Sequence, residues 1–572
     1  MNRRNGIFAA LSLTFTLLMS LPWLVPHLGW TALVGLLPLL VMERLATAWE
    51  TRRFGWWHYG SFVLWNAVTT WWVGGATVGG AVFAILANAL QMSLVFGSFR
   101  WVKRRCGGIL PYLYLAAAWL AWERYYLTVA DISWPWLVLG NAFADTTSLI
   151  QWYSVTGHLG GSLWVWVSNL SIFGLMVALS DGRMAGWNAK ARLAAFAGTL
   201  LAVFGPMLWS LGCRFQEEGP ELKVLILQPN LDPYQKFESF TQAQQDSILL
   251  SLAGQAFQPS DSMEQVLVLA PETATSHLFT DDVLGHASVS RYQAFLQEHP
   301  GASLLFGAST FDREVSFGAP DPCSYDLGPV SADKWYDHLW YTAHNSAILM
   351  DASGHYGLYH KSKLVVGVES TPYPMVFVPL EKLLGGNLMG KDVGQGSPTC
   401  LPMSKDTGSL PEASACSLAS GSESVSGDID DRMSGEVPIG TAICYESVYG
   451  EFCTGYVRKG AQLITVITND AWWGDTPGHR QHLNYSRLRA IETRRWVARC
   501  GNTGISALID PAGRIIARTP WWEQAVLQGK VQLLQEQSFF VRYGDMVGRV
   551  AVFLFLLLGA AAIFRGRKTT GR

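Results

Sequence analysis

The sequence predicts a multi-pass α-helical membrane domain joined to one large α/β domain. Apolar and aromatic residues dominate 1–213, whereas 214–545 has the mixed composition of a water-soluble domain. Long stretches of the first part lack charged residues, and short apolar runs alternate with helical stretches in the second. Of the 572 residues, 49% are hydrophobic and only 15% are charged. So little charge is rare in a soluble chain of this length.

Charge and cysteine content exclude some functions. The net charge is −2 and the basic residues form no stripe, so nothing favours a nucleic-acid partner. None of the eight cysteines forms a CxxC pair, and the spacing of zinc ligands is absent. We therefore expect neither a metal nor a cofactor. Cys400 and Cys416 are the one pair considered for a disulfide, because both lie in a loop-like segment.

Eight stretches are long and apolar enough to span a bilayer, which takes about 20 residues. No charge occurs between Arg4 and Glu43, a run that accommodates two spans turning near Pro26. The other candidates are 59–78, 79–99, 108–126, 160–180, 193–212 and 548–564. The predicted units are therefore a membrane domain with about seven spans (1–213), a catalytic domain (214–545), and a last span with its tail (546–572).

Basic residues predict the orientation of these spans. Every cluster precedes the first span or follows an even-numbered one, namely 3–4, 44–53, 100–105, 183–192 and 565–568. Positive charge is enriched on the cytoplasmic side, so the large domain before the last span is expected outside the cytoplasm. A cleavable signal over 1–22 is the competing interpretation, but its removal would break this charge pattern.

The role of the membrane domain is less specific. A channel or transporter is one alternative, yet the spans carry few of the ionisable residues that mark a transport path. Tethering or lipid handling fits better. The apolar loop 133–141, SWPWLVLGN, is predicted either to lie at the membrane interface, where tryptophan is favoured, or to be an ordinary packed loop.

The domain outside the membrane shows an α/β pattern. Eight apolar runs predict strands that are covered on both faces, and three longer stretches predict helices near 239–254, 288–299 and 479–499. The strand predictions are 223–228, 265–270, 303–308, 346–351, 440–444, 463–468, 505–510 and 529–533. Residues 390–436, rich in Ser, Gly and Asp, are predicted to be a flexible insertion at the rim of the site.

Three of these strands are followed by a chemically reactive side chain. Glu272 follows 265–270, Lys361 lies after 346–351, and Cys444 ends 440–444. Together they form a plausible acyl-transfer set: the carboxylate takes the thiol proton, the thiolate attacks a carbonyl, and the ammonium stabilises the oxyanion. Each residue alone has an ordinary explanation, since a free cysteine is usually a buried apolar group and the other two are usually surface charges.

With its spans, this set resembles the apolipoprotein N-acyltransferase family, a membrane-bound branch of the nitrilase superfamily with a Glu-Lys-Cys triad. The resemblance extends over nearly the whole chain. Its motifs are the 133–141 loop, QPN at 228–230, PET at 271–273, NSA at 345–347, the YHKSKLV loop at 359–365, ICYE at 443–446, TNDAWWGD at 468–475, and the stretches 487–492 and 502–504.

The resemblance implies a fold, an activity and further site residues. The fold is an αββα sandwich carried on membrane spans. The activity is transfer of an acyl chain from a phospholipid, through a thioester on Cys444, to the terminal amine of a diacylglyceryl apolipoprotein. Glu272 would be the base, and Lys361 would stabilise the oxyanion with the N–H of Tyr445; Glu369 and Glu446 would support the site. The implied location is the bacterial inner membrane, with the catalytic domain in the periplasm.

Two features depart from the family pattern. The loop after the lysine reads LVVGVE at 364–369 where the family has LVPFGE, although the spacing from Lys361 to Glu369 is kept. Lys363 is a rival for the role of Lys361, which alone has the family's Tyr-x-Lys register.

Two other functions stay open at this point. One is a tethered nitrilase-type amidase acting on a small amide, which would need a polar pocket open to water rather than an apolar cleft. The other is a non-catalytic lipid-binding protein, for which three intact reactive residues would have no use.

Overall fold

Long apolar helices occupy the N-terminal third and the C-terminal end of the computed structural model, which describes residues 3–213, 218–257, 264–331, 336–383, 389–404 and 435–569. Six helical segments in these ranges are long and apolar enough to cross a membrane. They are Arg3–Leu24, Gly29–Ala48, Val78–Lys103, His158–Ser180, Ala189–Gly212 and Met546–Arg565.

Helices also occupy the two remaining predicted spans. Phe54–Thr70 has 17 residues and continues into a 3-10 helix at Trp71–Gly75. Leu110–Thr128 has 19 residues and carries Glu123 and Arg124 near its end. The prediction of a multi-pass helical membrane domain with about eight spans is therefore confirmed in its class, and this is a membrane protein.

The 133–141 loop is packed inside the protein. Trp136 is fully buried, and its Nε1 donates to Gln481 Oε1 at 2.6 Å. The hydroxyl of Tyr485 donates to the carbonyl of Trp136 at 2.7 Å. The Trp136 indole also contacts the ring of Trp72, with centroids 4.9 Å apart. Of the two predictions for this loop, the packed one is right, and the loop connects the membrane helices to the large domain.

The large domain is built on two sheets. Its strands, in chain order, are β1 (Glu221–Gln228), β2 (Val266–Leu269), β3 (Thr275–Phe279), β4 (Ala302–Ser316), β5 (Tyr325–Pro329), β6 (His338–Asp351), β7 (Tyr356–His360), β8 (Cys400–Ser404), β9 (Glu436–Ile443), β10 (Leu463–Thr468), β11 (Val497–Gly501), β12 (Ala507–Ile509), β13 (Ile515–Arg518) and β14 (Ala525–Gln532). One sheet has the order β14-β1-β2-β4-β6-β5, with β3 beside β4 and β7 beside β6. The other has the order β13-β12-β11-β10-β9-β8.

The strands are apolar on both faces because each sheet packs against the other sheet on one face and against helices on the other. In β2, Leu267 and Leu269 point into the core between the two sheets, whereas Val266 and Val268 pack beneath the outer helices. Burial of alternate side chains on opposite faces is expected of a sheet that has neither face open to solvent. The covering helices are Gln242–Ala256 and Ala287–Glu298 on the first sheet, and Gly450–Arg458 and Pro477–Thr493 on the second. The result is the αββα sandwich that the resemblance implied.

The shorter helices complete the described chain. They are Ala32–Gly35 and Leu37–Ala48 within the second apolar segment, Tyr153–Thr156, Pro233–Glu238, Pro374–Leu383 and Phe539–Tyr543, and the last helix continues to Thr569. The last membrane helix of the N-terminal part ends at Gly212, and β1 begins at Glu221. The exact domain boundaries stay a prediction.

Two local predictions differ from the structure. The helix predicted over 479–499 ends at Thr493, because Arg494 has a left-handed backbone with φ of 53°, and β11 follows between β10 and β12. The predicted insertion 390–436 overlaps the second sheet, since Leu401 and Met403 are buried in strand β8, which pairs with β9. Residues 405–434, including Cys416, lie outside the described residues, and Cys400, the other member of the pair considered for a disulfide, is a free cysteine.

The packing of Trp136 leads to a stability prediction. We expect Trp136→Ala to destabilise the detergent-solubilised protein by about 3–5 kcal/mol, because it removes a fully buried indole between the two domains. The apparent midpoint of thermal unfolding should fall by several degrees relative to the unaltered protein. Trp56→Ala is the control, since the Trp56 ring is 73% exposed, and an equal loss in both variants would contradict the expectation.

Candidate active site

Cys444 occupies a strained turn at the end of β9. Its φ of 53° lies in the left-handed region, which residues with a side chain seldom adopt, and a 3-10 helix at Cys444–Val448 begins there. The Cys444 carbonyl accepts a hydrogen bond from Ser447 Oγ at 2.8 Å and lies 3.1 Å from His482 Nε2. The turn therefore holds the thiol at the strand end in one orientation.

Glu272 lies at the end of β2, where the chain passes very close to β4. A Cβ atom at Gly307 would lie 2.6 Å from the Glu272 Cα, so only glycine fits there. The carboxylate is 6% exposed, and Asn345 Nδ2 donates to its Oε1 at 2.8 Å. The backbone N–H of Asn469 donates to Oε2 at 3.0 Å. Each carboxylate oxygen thus accepts from a neutral donor, one on β6 of the same sheet and one just after β10 of the other sheet.

Lys361 follows β7 and lies between two carboxylates. Its Nζ donates to Glu272 Oε1 at 3.2 Å and to Glu369 Oε1 at 2.7 Å, and the residue is only 1% exposed. Burial alone would lower the pKa of Lys361, but the two carboxylates outweigh it and hold that pKa well above its ordinary value. The side chain is therefore a permanent ammonium ion.

Glu369 completes this arrangement. Its Oε1 also accepts from Asn345 Nδ2 at 2.9 Å, and its Oε2 accepts from the N–H of Val365 at 2.7 Å. The predicted second acid thus contacts the predicted lysine directly. Asn345 donates to both carboxylates. From sequence it belongs to a motif but has no predicted role, and only its position beside a predicted strand could have indicated one.

Lys363 does not enter the site. Its ammonium lies over the rings of Tyr449 and Phe452, 5.4 and 5.9 Å from their centroids. Two residues along an extended loop suffice to turn the two lysines apart. The structure therefore places Lys361, and not its rival, beside Glu272.

Glu446 is a buried anchor between the nucleophile turn and the lysine loop. Its Oε1 accepts from the Tyr359 hydroxyl at 2.7 Å and from the N–H groups of Ser362 and Lys363, while its Oε2 accepts from the N–H of Ile443 at 2.9 Å. No surface of Glu446 is exposed. These bonds fix the register of Cys444 relative to Lys361.

Tyr445 connects the site to the membrane domain. Its ring stacks on Trp134 with centroids 6.1 Å apart and an interplanar angle of 15°, and its hydroxyl donates to the Ser133 carbonyl at 3.1 Å. These contacts immobilise the Tyr445 side chain. That the backbone N–H of Tyr445 binds the oxyanion stays a prediction.

The environment of Cys444 keeps its thiol protonated. Burial raises the pKa of Cys444 well above its ordinary value, the Glu272 carboxylate raises it further, and Lys361 opposes both. A lysine beside a thiol favours the thiolate, but here the desolvation dominates. A protonated thiol needs a base before it can act as a nucleophile, and Glu272 is the carboxylate with the largest effect on the pKa of Cys444.

Three polar residues behind the nucleophile were not singled out from sequence. Asp470 Oδ1 lies 2.8 Å from His482 Nδ1, and its Oδ2 is paired with Arg499; all three side chains are fully buried. Burial would raise the pKa of Asp470, but His482 and Arg499 outweigh it and hold that pKa far below its ordinary range. This ion pair network positions His482 against the Cys444 carbonyl.

Comparison with known proteins agrees with this geometry. Residues 331–539 match the sequence model of the carbon-nitrogen hydrolase family, and residues 15–171 match that of the apolipoprotein N-acyltransferase N-terminal domain. The apolipoprotein N-acyltransferase of Chlorobaculum tepidum is 29% identical over 95% of this chain and 94% of its own length. That of Pseudomonas syringae pv. tomato is 28% identical over 93% and 90%. A crystal structure of an amidase from Nesterenkonia sp. aligns with 59% of this chain and 98% of its own, at 15% identity and a TM-score of 0.34.

The fold and the site define a membrane protein with a carbon–nitrogen hydrolase domain that brings a half-buried cysteine together with a buried lysine and a buried glutamate. The match of residues 15–171, which contain most of the membrane helices, narrows the class of protein further. Over nearly its whole length the chain is similar to the apolipoprotein N-acyltransferases of the nitrilase superfamily.

The raised pKa of Cys444 predicts a slow reaction with a neutral alkylating agent. At pH 7 the thiolate fraction is below that of a free thiol, so iodoacetamide should label the Cys444 peptide more slowly than glutathione, with the rate still rising above pH 9. Lys361→Met should slow the labelling further, because Lys361 lowers the pKa of Cys444. Lys363→Met is the matched control and should not. Labelling at pH 7 as fast as glutathione would contradict a protonated resting thiol.

The bonds of Glu446 predict that its charge, and not only its shape, is needed. Glu446→Gln places an amide N–H₂ against N–H donors, and each charged hydrogen bond lost costs roughly 1.5–3 kcal/mol. We expect the rate of acyl transfer to fall roughly ten- to hundredfold in a single-turnover assay. Glu314→Gln, at an exposed position of β4, should leave that rate unchanged. Equal rates in both variants would remove Glu446 as an anchor.

Proposed function

We propose that the protein transfers an acyl chain from a phospholipid to the terminal amine of S-diacylglyceryl-cysteine in apolipoproteins, through a thioester on Cys444. The observation that carries this proposal is the contact of the Lys361 ammonium with the Glu272 carboxylate at 3.2 Å, together with the effect of both charges on the pKa of the Cys444 thiol. The names of the full-length relatives supply the acceptor.

The first half-reaction forms the acyl-enzyme. Glu272 takes the thiol proton as Cys444 Sγ attacks the ester carbonyl of the phospholipid, and the oxyanion forms near the Lys361 ammonium and the Tyr445 N–H. The carbon–oxygen ester bond then breaks, and the lysophospholipid leaves as an alcohol with the proton from Glu272. A permanent ammonium suits this step, because it needs no proton transfer of its own.

The second half-reaction consumes the thioester. The amine of the acceptor attacks the thioester carbonyl, an amide bond forms, and the carbon–sulfur bond breaks. Glu272 accepts a proton from the attacking amine and returns it to the leaving thiolate of Cys444. A thioester stays reactive towards an amine, which explains the use of a thiol as the intermediate carrier.

Exposed apolar side chains near the site favour a lipid over a small water-soluble amide. The helix Pro374–Leu383, five residues after Glu369, exposes Met375, Val376 and Leu383 by 78, 62 and 81%. Just before it, the N–H of Tyr373 donates to Asp131, which follows a membrane-domain helix. Large exposed apolar groups at the boundary with membrane helices suit a lipid-facing cleft. An amidase tethered to a membrane would have no use for them.

Membrane orientation follows from the basic residues. All the basic clusters lie on one side of the predicted spans, so the large domain faces away from the cytoplasm. For a bacterial inner membrane this side is the periplasm, where the phospholipid donor and the acceptor lie in the outer leaflet. The proposed partners are therefore lipids and lipoproteins of that leaflet.

The acyl-enzyme can be observed directly. We expect that incubation of the purified protein with phospholipid adds one acyl chain to the Cys444 peptide, as detected by mass spectrometry. Cys444→Ser should abolish the thioester, and Glu272→Gln should slow its formation by roughly 10²–10⁴-fold, the usual contribution of a general base. Cys213→Ser, at the end of a membrane helix, is the control and should acylate normally. A thioester on another cysteine, or an unchanged rate in Glu272→Gln, would overturn the assignment.

A further inference from the structure

A second cluster of chemically reactive side chains lies on the first sheet, beside the catalytic residues. The cluster spans three adjacent strands, because β6 is hydrogen-bonded to both β4 and β7. Asp312 lies on β4, His344 on β6 and His360 at the end of β7. The strand register places them on one face, because His344 is opposite Thr310 and His360 is opposite Ser346. Alternation sends the next residues, Asn345 and Lys361, to the other face, where they meet Glu272.

The three side chains converge on one point. One carboxylate oxygen of Asp312 and one ring nitrogen of each histidine lie within 4.8 Å of one another. The two imidazole rings are nearly parallel, with centroids 4.1 Å apart and an interplanar angle of 29°. Two histidines and one carboxylate at this spacing form the donor set of a three-ligand zinc site.

The hydrogen bonding of His344 provides an independent observation. Its Nδ1 donates to the carbonyl of Val393 at 2.7 Å, since a carbonyl oxygen can only accept. In the neutral ring, Nε2 is then a lone-pair acceptor. His344 is 8% exposed, and its Nε2 has no hydrogen-bond partner in the part of the chain that the structure describes.

The Asp312 carboxylate lies beside this nitrogen. Asp312 Oδ2 lies 3.3 Å from His344 Nε2, but the two do not align as a hydrogen bond. In the neutral ring the Nε2 lone pair faces this carboxylate, and either a proton or a metal cation between the two atoms removes that repulsion.

The other two side chains are oriented as metal ligands usually are. Ser346 Oγ lies 2.7 Å from His360 Nδ1 and 2.6 Å from Thr310 Oγ1, which leaves Nε2 of His360 for a ligand. Asp312 Oδ1 accepts from the Thr280 hydroxyl at 2.5 Å, which leaves Oδ2. Outer partners that fix the tautomer and the carboxylate in this way accompany most histidine-based metal sites.

We propose that Asp312, His344 and His360 bind one divalent transition-metal ion of the zinc type. The Asp312 side chain is 47% exposed, so water supplies the fourth ligand. The ion would tie β4, β6 and β7 together directly behind Asn345 and Lys361, and its role is to position those two residues. The cysteine spacing had predicted no metal; the proposed site uses histidine and aspartate from strands far apart in sequence.

Cobalt(II) titration of the full-length, untagged protein in detergent, after treatment with a chelator, tests this proposal. Tetrahedral Co²⁺ with nitrogen and oxygen ligands absorbs in the visible without the near-ultraviolet band of a thiolate ligand. We expect one equivalent to bind with that spectrum and to be displaced by Zn²⁺. Cys444→Ser should bind Co²⁺ identically, which separates this site from the Cys444, Asp470 and His482 cluster.

Variants locate the ligands. His344→Gln and His360→Gln should each abolish binding, and Asp312→Asn, half exposed and tolerant of change, should weaken it at least tenfold. His355→Gln is the matched control on the turn between β6 and β7; its side chain is 61% exposed, and it should bind as the unaltered protein does. Absence of Co²⁺ binding by the unaltered protein would overturn the proposal in favour of a protonated His344 paired with Asp312. Full binding by Asp312→Asn and His344→Gln would overturn it as well.

Discussion

A buried ammonium ion between two carboxylates is the interaction on which the site depends. Lys361 is almost without exposed surface, and a charge there is tolerated only because Glu272 and Glu369 both accept from it. Asn345 donates to both carboxylates and so fixes their separation. Breaking a buried ion pair leaves an uncompensated charge, so each of these residues constrains the others. Such a network orients its members more than it stabilises the fold.

The nucleophile is positioned by a second, independent set of bonds. Glu446 accepts from the lysine loop with one oxygen and from the end of β9 with the other. On its other side, the Cys444 carbonyl is held by Ser447 and His482. The raised pKa favours a protonated thiol, so the proposed reaction depends on a base and not on a standing thiolate. A protonated resting thiol also protects the cysteine from oxidation and side reactions.

The site is held against the membrane domain by aromatic packing and by a charged contact. Tyr445, next to the nucleophile, stacks on Trp134 of the packed loop, and Trp136 of the same loop bonds to Gln481. On the other side, Arg124 near the end of a membrane helix pairs with Glu451 at 2.9 Å and with Asp545 at 2.8 Å. These contacts come from both ends of the chain, so Cys444 has a fixed position relative to the membrane helices.

The sequence by itself determined the class of the fold and the positions of three candidate site residues at strand ends. Apolar runs of membrane length and strand-length runs between turn residues are local patterns, so the spans, the main strands and the positions of Glu272, Lys361 and Cys444 at strand ends could be predicted. The helix over 479–499 failed locally, because nothing in the sequence marks Arg494 as left-handed. Tertiary structure alone decided which of Lys361 and Lys363 meets Glu272, why Gly307 is required beside Glu272, and that His344 meets Asp312. Those outcomes depend on strand order and register, which bring together residues far apart in sequence and which no local pattern encodes.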